Sequence, residues 1–127
     1  GGMISLYALL EYPKVFGGAA GLSTHWIGFP TAWGLERARN AALPLAAFNY
    51  LHKHLPPPGS SRLYTDRGTD PLDSLYAPSQ DFIEQLLRDR GYGPTQAMVR
   101  VFEGQGHNER DWSARAEEPL LFLMGKP

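Results

Sequence analysis

The sequence predicts an α/β fold in which parallel strands carry helices on both faces, a three-layer αβα arrangement. Three observations predict it. Short apolar runs bounded by turn residues alternate with stretches of helical period, no internal repeat interrupts the alternation, and the composition is that of an ordinary mixed domain. Strands joined through helices in this way imply right-handed crossovers. At 127 residues, residues 1–127 form a single domain or a half-domain.

Each element has a local reason. From Gly2 to Glu11, the apolar residues Met3, Ile4, Leu6, Tyr7, Leu9 and Leu10 cover most of a helix, which is therefore expected to be largely buried. Tyr12 ends it, because a residue before proline disfavours the α region. "VFGGAAGLS" is short, apolar and bounded by turn residues, as a buried strand is. "THWIGFPTAWGLERARN" has neither period and reads as a long excursion, with a short helix in "TAWGLERAR". "AALPLAAFNYLHKH" places Pro44, Ala47, Phe48, Leu51 and Leu55 at helical spacing, and "LPPPGSS" stops that helix.

"SRLYTDRG" reads as a strand that feeds the loop "TDPLDSLYAP". Ser79 is the expected N-cap of "QDFIEQLLRDRG", with Phe82, Ile83, Leu86 and Leu87 as the buried face and Gly91 as the stop. "AMVRVFEG" is a strand and "QGHNERD" a loop. Trp112, Ala116, Leu120 and Leu123 mark a last helix, which Pro119 kinks or restarts.

Charge and composition remove whole function classes. Twelve basic and thirteen acidic residues, scattered singly or in short mixed groups, give no footprint for nucleic acid or an anionic membrane surface. No apolar run is long enough to span a bilayer, and the opening residues lack the pattern of a signal peptide. Without cysteine there is no disulfide, thiolate nucleophile or cysteine metal site, and no compartment is named. "GGMIS" has neither G-x-G-x-x-G nor a P-loop lysine. His52 and His54 point about 200° apart around a helix, so a shared metal is not expected.

In open parallel sheets, ligands bind at the carboxyl ends of the strands. The residues found there are Ser23, His25 and Trp26 after the first strand, Asp66, Asp70 and Asp73 after the second, and His107 after the third. An acid after one strand and a histidine after the next is the layout of an α/β hydrolase, whose triad runs serine, acid, histidine along the chain. The plainer alternative makes each aspartate a turn former and His107 an exposed loop residue. Their order and their spacing of one helix favour the pair.

Three stretches carry a family resemblance: "GGMISLYALLEYPKVFGGAAGLSTHW", "YTDRGTDPLDSLYAPSQDF" and "FEGQGHNERDWSAR". Over essentially its whole length the chain resembles the C-terminal half of an esterase family of α/β hydrolases. That family includes enterochelin esterases, S-formylglutathione hydrolases, feruloyl and acetylxylan esterases, and mycolyltransferases. The resemblance implies that Gly1 and Gly2 are the last glycines of a G-x-S-x-G-G nucleophile elbow, with the serine two positions before Gly1. Taking the two glycines as a cloning scar ahead of an initiator Met3 loses the serine equally. Ser5 lies inside the following helix and Ser23 follows the wrong strand, so neither stands in for it.

The resemblance further implies that His107 is the general base and Asp73 its acid, with Asp70 second and Asp66 third. His25 and Trp26 would line the acyl or alcohol pocket, Trp26 being equally suited to packing. The expected partners are a small-molecule ester and either the missing N-terminal half or a second copy covering the free edge of the first strand. No metal or organic cofactor is expected. Two rival functions remain, a catalytically inactive binding or assembly module and an acyltransferase on the same fold.

Overall fold

The computed structural model describes residues 1–26, 43–59 and 61–125. They form a three-stranded parallel sheet with five α-helices, an α/β fold. In chain order the elements are α1 (Gly2–Glu11), β1 (Gly18–Gly21), α2 (Leu43–His54), β2 (Arg62–Gly68), a 3-10 turn (Asp73–Tyr76), α3 (Ala77–Asp89), β3 (Ala97–Phe102), α4 (Glu109–Arg115) and α5 (Glu117–Met124). The strand order is β1-β2-β3, with Gly18 beside Arg62 and Leu63 beside Ala97. The short helix expected in "TAWGLERAR" lies outside the described residues.

The alternation of β2 sorts the two faces of the sheet. Leu63 joins the main core with Leu6, Leu9 and Leu10 of α1, Phe48 and Leu51 of α2, and Ile83, Leu86 and Leu87 of α3. On the opposite face, Arg62 Nη1 donates to the carbonyls of Phe122 (3.0 Å) and Gly125 (2.8 Å), and the Tyr64 ring lies 6.3 Å from that of Phe122. Helices thus contact both faces. Among the described residues β1 pairs only with β2, and its other edge is unpaired.

Five expectations need correction, the first being that Phe82, expected on the buried face of α3, is exposed and stacks on Phe48. α1 ends at Tyr12 as the proline rule requires, but only Leu6, Leu9 and Leu10 are buried, while Met3, Ile4 and Tyr7 are exposed. Only the stripe at i, i+3 and i+4 meets the described core, so apolar character all round does not translate into burial all round. α3 begins at Ala77, ahead of Ser79. The 3-10 turn has already brought the chain into helical backbone at Tyr76 (φ −84°, ψ −7°), Pro78 fits the first turn, and Ser79 is buried inside the helix.

"NERD" is not loop. Asn108 caps α4, its side chain accepting from Asp111 N at 3.0 Å. The last helix does restart as expected, at Ala116 with Pro119 in the first turn of α5, but Leu120 faces solvent. Leu123 instead packs where Gly18 leaves room.

Candidate active site

The loops after β2 and β3 are tied together by their backbones. The amides of Thr69 and Asp70 both donate to the carbonyl of Gln105, each at 3.0 Å. Gly68 makes this possible, because a Cβ there would stand 1.9 Å from that carbonyl oxygen. From the shared junction the chain turns through Asp70 and Pro71 into the 3-10 turn that Asp73 opens. The Asp73 side chain returns to the strand end, where its Oδ2 accepts from Gly68 N at 2.7 Å.

The other oxygen meets the histidine. Asp73 Oδ1 lies 2.9 Å from His107 Nδ1, with the carboxyl fully buried and the imidazole a quarter exposed. With Asp73 as the acceptor, Nδ1 carries the hydrogen and Nε2 is left for chemistry. His107 directly precedes the capped start of α4. Its ring is flanked edge-on by Trp112 (centroids 4.9 Å apart) and Tyr76 (5.9 Å).

Below the pair lies a buried polar network. Arg115 donates to both oxygens of Asp66, from Nε at 3.2 Å and Nη2 at 3.1 Å, and to Gln105 Oε1 at 2.7 Å. Asp66 also accepts from Ser23 N and from the Tyr64 hydroxyl, both at 2.9 Å. Burial pushes the Asp66 carboxyl above its ordinary value, opposed by the Ser23 amide and by the Arg115 charge. Burial also raises the Tyr64 and Tyr76 phenols well above the ordinary range, so both remain hydroxyls.

Ser23 links the network to the candidate acid. Its Oγ donates to Asp73 Oδ2 and accepts from Arg115 Nη2 (2.7 Å) and Trp112 Nε1 (3.1 Å). One donor and two acceptor positions are all used. Its backbone sits at φ 46°, the one positive-φ residue other than glycine among those described.

The residues singled out in the sequence therefore divide. Asp73 and His107 come together, and His25 joins them, its Nδ1 at 2.7 Å from the Tyr76 hydroxyl and its ring edge-on to His107. Asp70 is exposed and contributes backbone bonds to the loop junction. Asp66 is committed to Arg115. Trp26 is buried in the core, its ring 6.3 Å from Phe48, so it packs rather than presenting a surface. His54 stacks on Tyr50, and no cluster of three or more metal-ligating side chains occurs among the described residues.

No motif in the sequence marks Arg115, Trp112 Nε1 or Tyr76, and Ser23 enters there only as excluded from the nucleophile's role. One signal was available: Trp112 and Arg115 are three apart and share a helix face. No described helix is long and apolar enough to cross a membrane. No protein-family model, curated protein or solved structure matches the chain, so the chemistry of the site rests on its own geometry.

Proposed function

We propose that Asp73 and His107 are the acid and base of a serine-type carboxylic ester hydrolase. The fold would be the C-terminal part of an α/β hydrolase, and the nucleophile a serine two positions before Gly1, as the family resemblance implies. The observation that carries this reading is the 2.9 Å contact between a fully buried carboxylate and the Nδ1 of a partly exposed imidazole. Such a contact fixes the tautomer and orients the ring. The carboxyl ends of successive parallel strands are also where this layout occurs.

In that reading His107 Nε2 takes the serine proton as the hydroxyl attacks the ester carbonyl. The imidazolium, held by Asp73, then gives the proton to the departing alcohol and leaves an acyl-serine. Water enters, loses a proton to the same nitrogen as it attacks the acyl carbon, and the imidazolium returns that proton to the serine oxygen as the carboxylic acid departs. Asp73 fits the acid role better than Asp70, because its carboxyl is bonded to the ring while Asp70 is exposed on the loop.

The test is p-nitrophenyl butyrate hydrolysis by the reading frame extended upstream of Gly1. His107→Gln is expected to lower kcat on the order of 10⁶-fold and Asp73→Asn on the order of 10⁴-fold. Asp70→Asn should change it only a few-fold, roughly the scale of an exposed substitution. An upstream frame without G-x-S-x, or hydrolysis that survives His107→Gln, would overturn the assignment.

A further inference from the structure

Ser23, Asp73 and Arg115 lie on three segments, following β1, following β2 and ending α4, and a single hydroxyl joins them. Ser23 Oγ donates to Asp73 Oδ2 while accepting from Arg115 Nη2 and Trp112 Nε1. Arg115 is anchored by Asp66 and by Gln105, and its guanidinium carbon stands 5.1 Å from the centre of the Phe102 ring. It therefore holds Ser23 from a fixed base. The guanidinium also lies 3.8 Å from Asp73 Oδ2, beyond direct hydrogen-bonding distance.

We propose that Ser23 is a positioning residue for Asp73, and that Arg115 acts through it. The shared hydroxyl occupies Oδ2, together with the Gly68 amide, so that Oδ1 is presented to His107. This rests on the reading of Asp73 and His107 as the acid and base.

Two further features fit that role. Ser23 is held in the left-handed region, where a residue with a Cβ is disfavoured, and such strain persists where the surroundings over-determine the conformation. The hydroxyl is also saturated and the residue as a whole 2% exposed, which leaves it no capacity to act as a nucleophile or to bind substrate.

Removing the hydroxyl leaves Oδ2 with the Gly68 amide as its one hydrogen-bond donor, and leaves Arg115 Nη2 and Trp112 Nε1 each short of an acceptor. Held on Oδ2 by one donor where there were two, the Asp73 carboxyl is less firmly placed, and the His107 ring follows its partner's displacement. A misplacement of this kind costs on the order of 10²-fold in rate when the ring is a base. It should fall on kcat and spare KM, since Ser23 touches no substrate.

The experiment is nitrogen and proton NMR of the His107 ring in the 127-residue chain, read beside its amide spectrum. Wild type is expected to give a solvent-protected, strongly downfield Nδ1 proton that Asp73→Asn abolishes. Ser23→Gly suits the positive φ and lacks the hydroxyl. It should move that proton towards the position of a free imidazole and speed its exchange, with the amide pattern of β2 and α3 retained.

Ser23→Cys keeps the shape of the side chain, with a somewhat larger atom in place of the oxygen, but offers only a weak donor and acceptor. It should shift the signal in the same direction by less, and it supplies the comparison if the glycine variant does not fold. A His107 signal identical to wild type in a folded Ser23 variant would overturn the positioning role. This readout needs no esterase activity. A moved signal with no hydrolysis by the extended frame would retain the positioning role and discard the function. Hydrolysis lost in His107→Gln with an unmoved signal would do the reverse.

Discussion

Arg115 Nη2 sits 3.1 Å from Asp66 Oδ1, and neither side chain reaches solvent beyond 1%. A pair so enclosed is strongly coupled, because removing one partner leaves the other charge buried and uncompensated.

Arg115→Met should therefore lower unfolding stability by about 3–5 kcal/mol in urea titration. Asp66→Asn should be milder in that background than in wild type, since the carboxylate it removes is already unpaired. Burial already raises the Asp66 carboxyl from its ordinary 3.8, and losing the arginine raises it further. Between 3.8 and the raised value the native state binds more protons than the unfolded one, so stability rises as pH falls through that window. The Arg115→Met deficit should shrink towards acid pH. A deficit independent of pH would show that Asp66 is not the group left stranded.

Gly68→Ala tests the junction that brings the two loops together. A Cβ at this position would meet the Gln105 carbonyl oxygen at 1.9 Å and its carbon at 2.5 Å, both backbone atoms that no rotamer change can move. The expected cost is about 1–3 kcal/mol of unfolding free energy by urea titration, together with displacement of the loop that carries His107. An alanine variant of wild-type stability with an unchanged His107 ring spectrum would contradict this account.

What the sequence disclosed follows from how local each cause is. The end of α1 at Tyr12 and the stop at Gly91 depend on one or two neighbouring residues, and both were legible. So were the three strands, from short apolar runs between turn residues. The start of α3 was not, because the 3-10 turn had already wound the chain before Ser79 offered a cap. The Asn108 cap could have been read from asparagine three residues ahead of aspartate, but the stretch is too polar to suggest a helix. Asp73 and His107 could be singled out by their order along the chain. The network beneath them could not, since Ser23 bonds Asp66 across 43 residues and Arg115 across 92, with no local pattern linking them.

Gly91 gives a prediction on the second helix stop. At φ +82° it closes α3 with two bonds, Gly91 N to Arg88 O at 2.9 Å and Tyr92 N to Leu87 O at 3.0 Å. This is a Schellman motif, and Leu87 and Tyr92 are both buried in the main core beside it. Gly91→Ala should cost about 1–2 kcal/mol by thermal or urea unfolding, through left-handed backbone strain alone. Gly91→Asn should recover part of the loss, because asparagine tolerates that region better.

Asp111 governs the acid side of the stability profile at the start of α4. Its Oδ2 accepts from Gly106 N at 2.7 Å and from Asn108 Nδ2 at 2.9 Å. The Gly106 amide first, and then the Asn108 side chain, hold its carboxyl below the ordinary 3.8. In the window between the lowered value and 3.8 the unfolded state binds more protons than the native one, so stability rises with pH. That contribution is fully present above 3.8 and is lost as pH falls through the native value. Asp111→Asn should therefore be less stable than wild type near neutrality. The two should converge as the medium is acidified, because the variant has no carboxylate left to protonate at this site. Urea unfolding of both proteins across that range measures the difference directly, and parallel profiles would rule out an ionised Asp111 as the group that holds the Gly106 amide and the entry to α4.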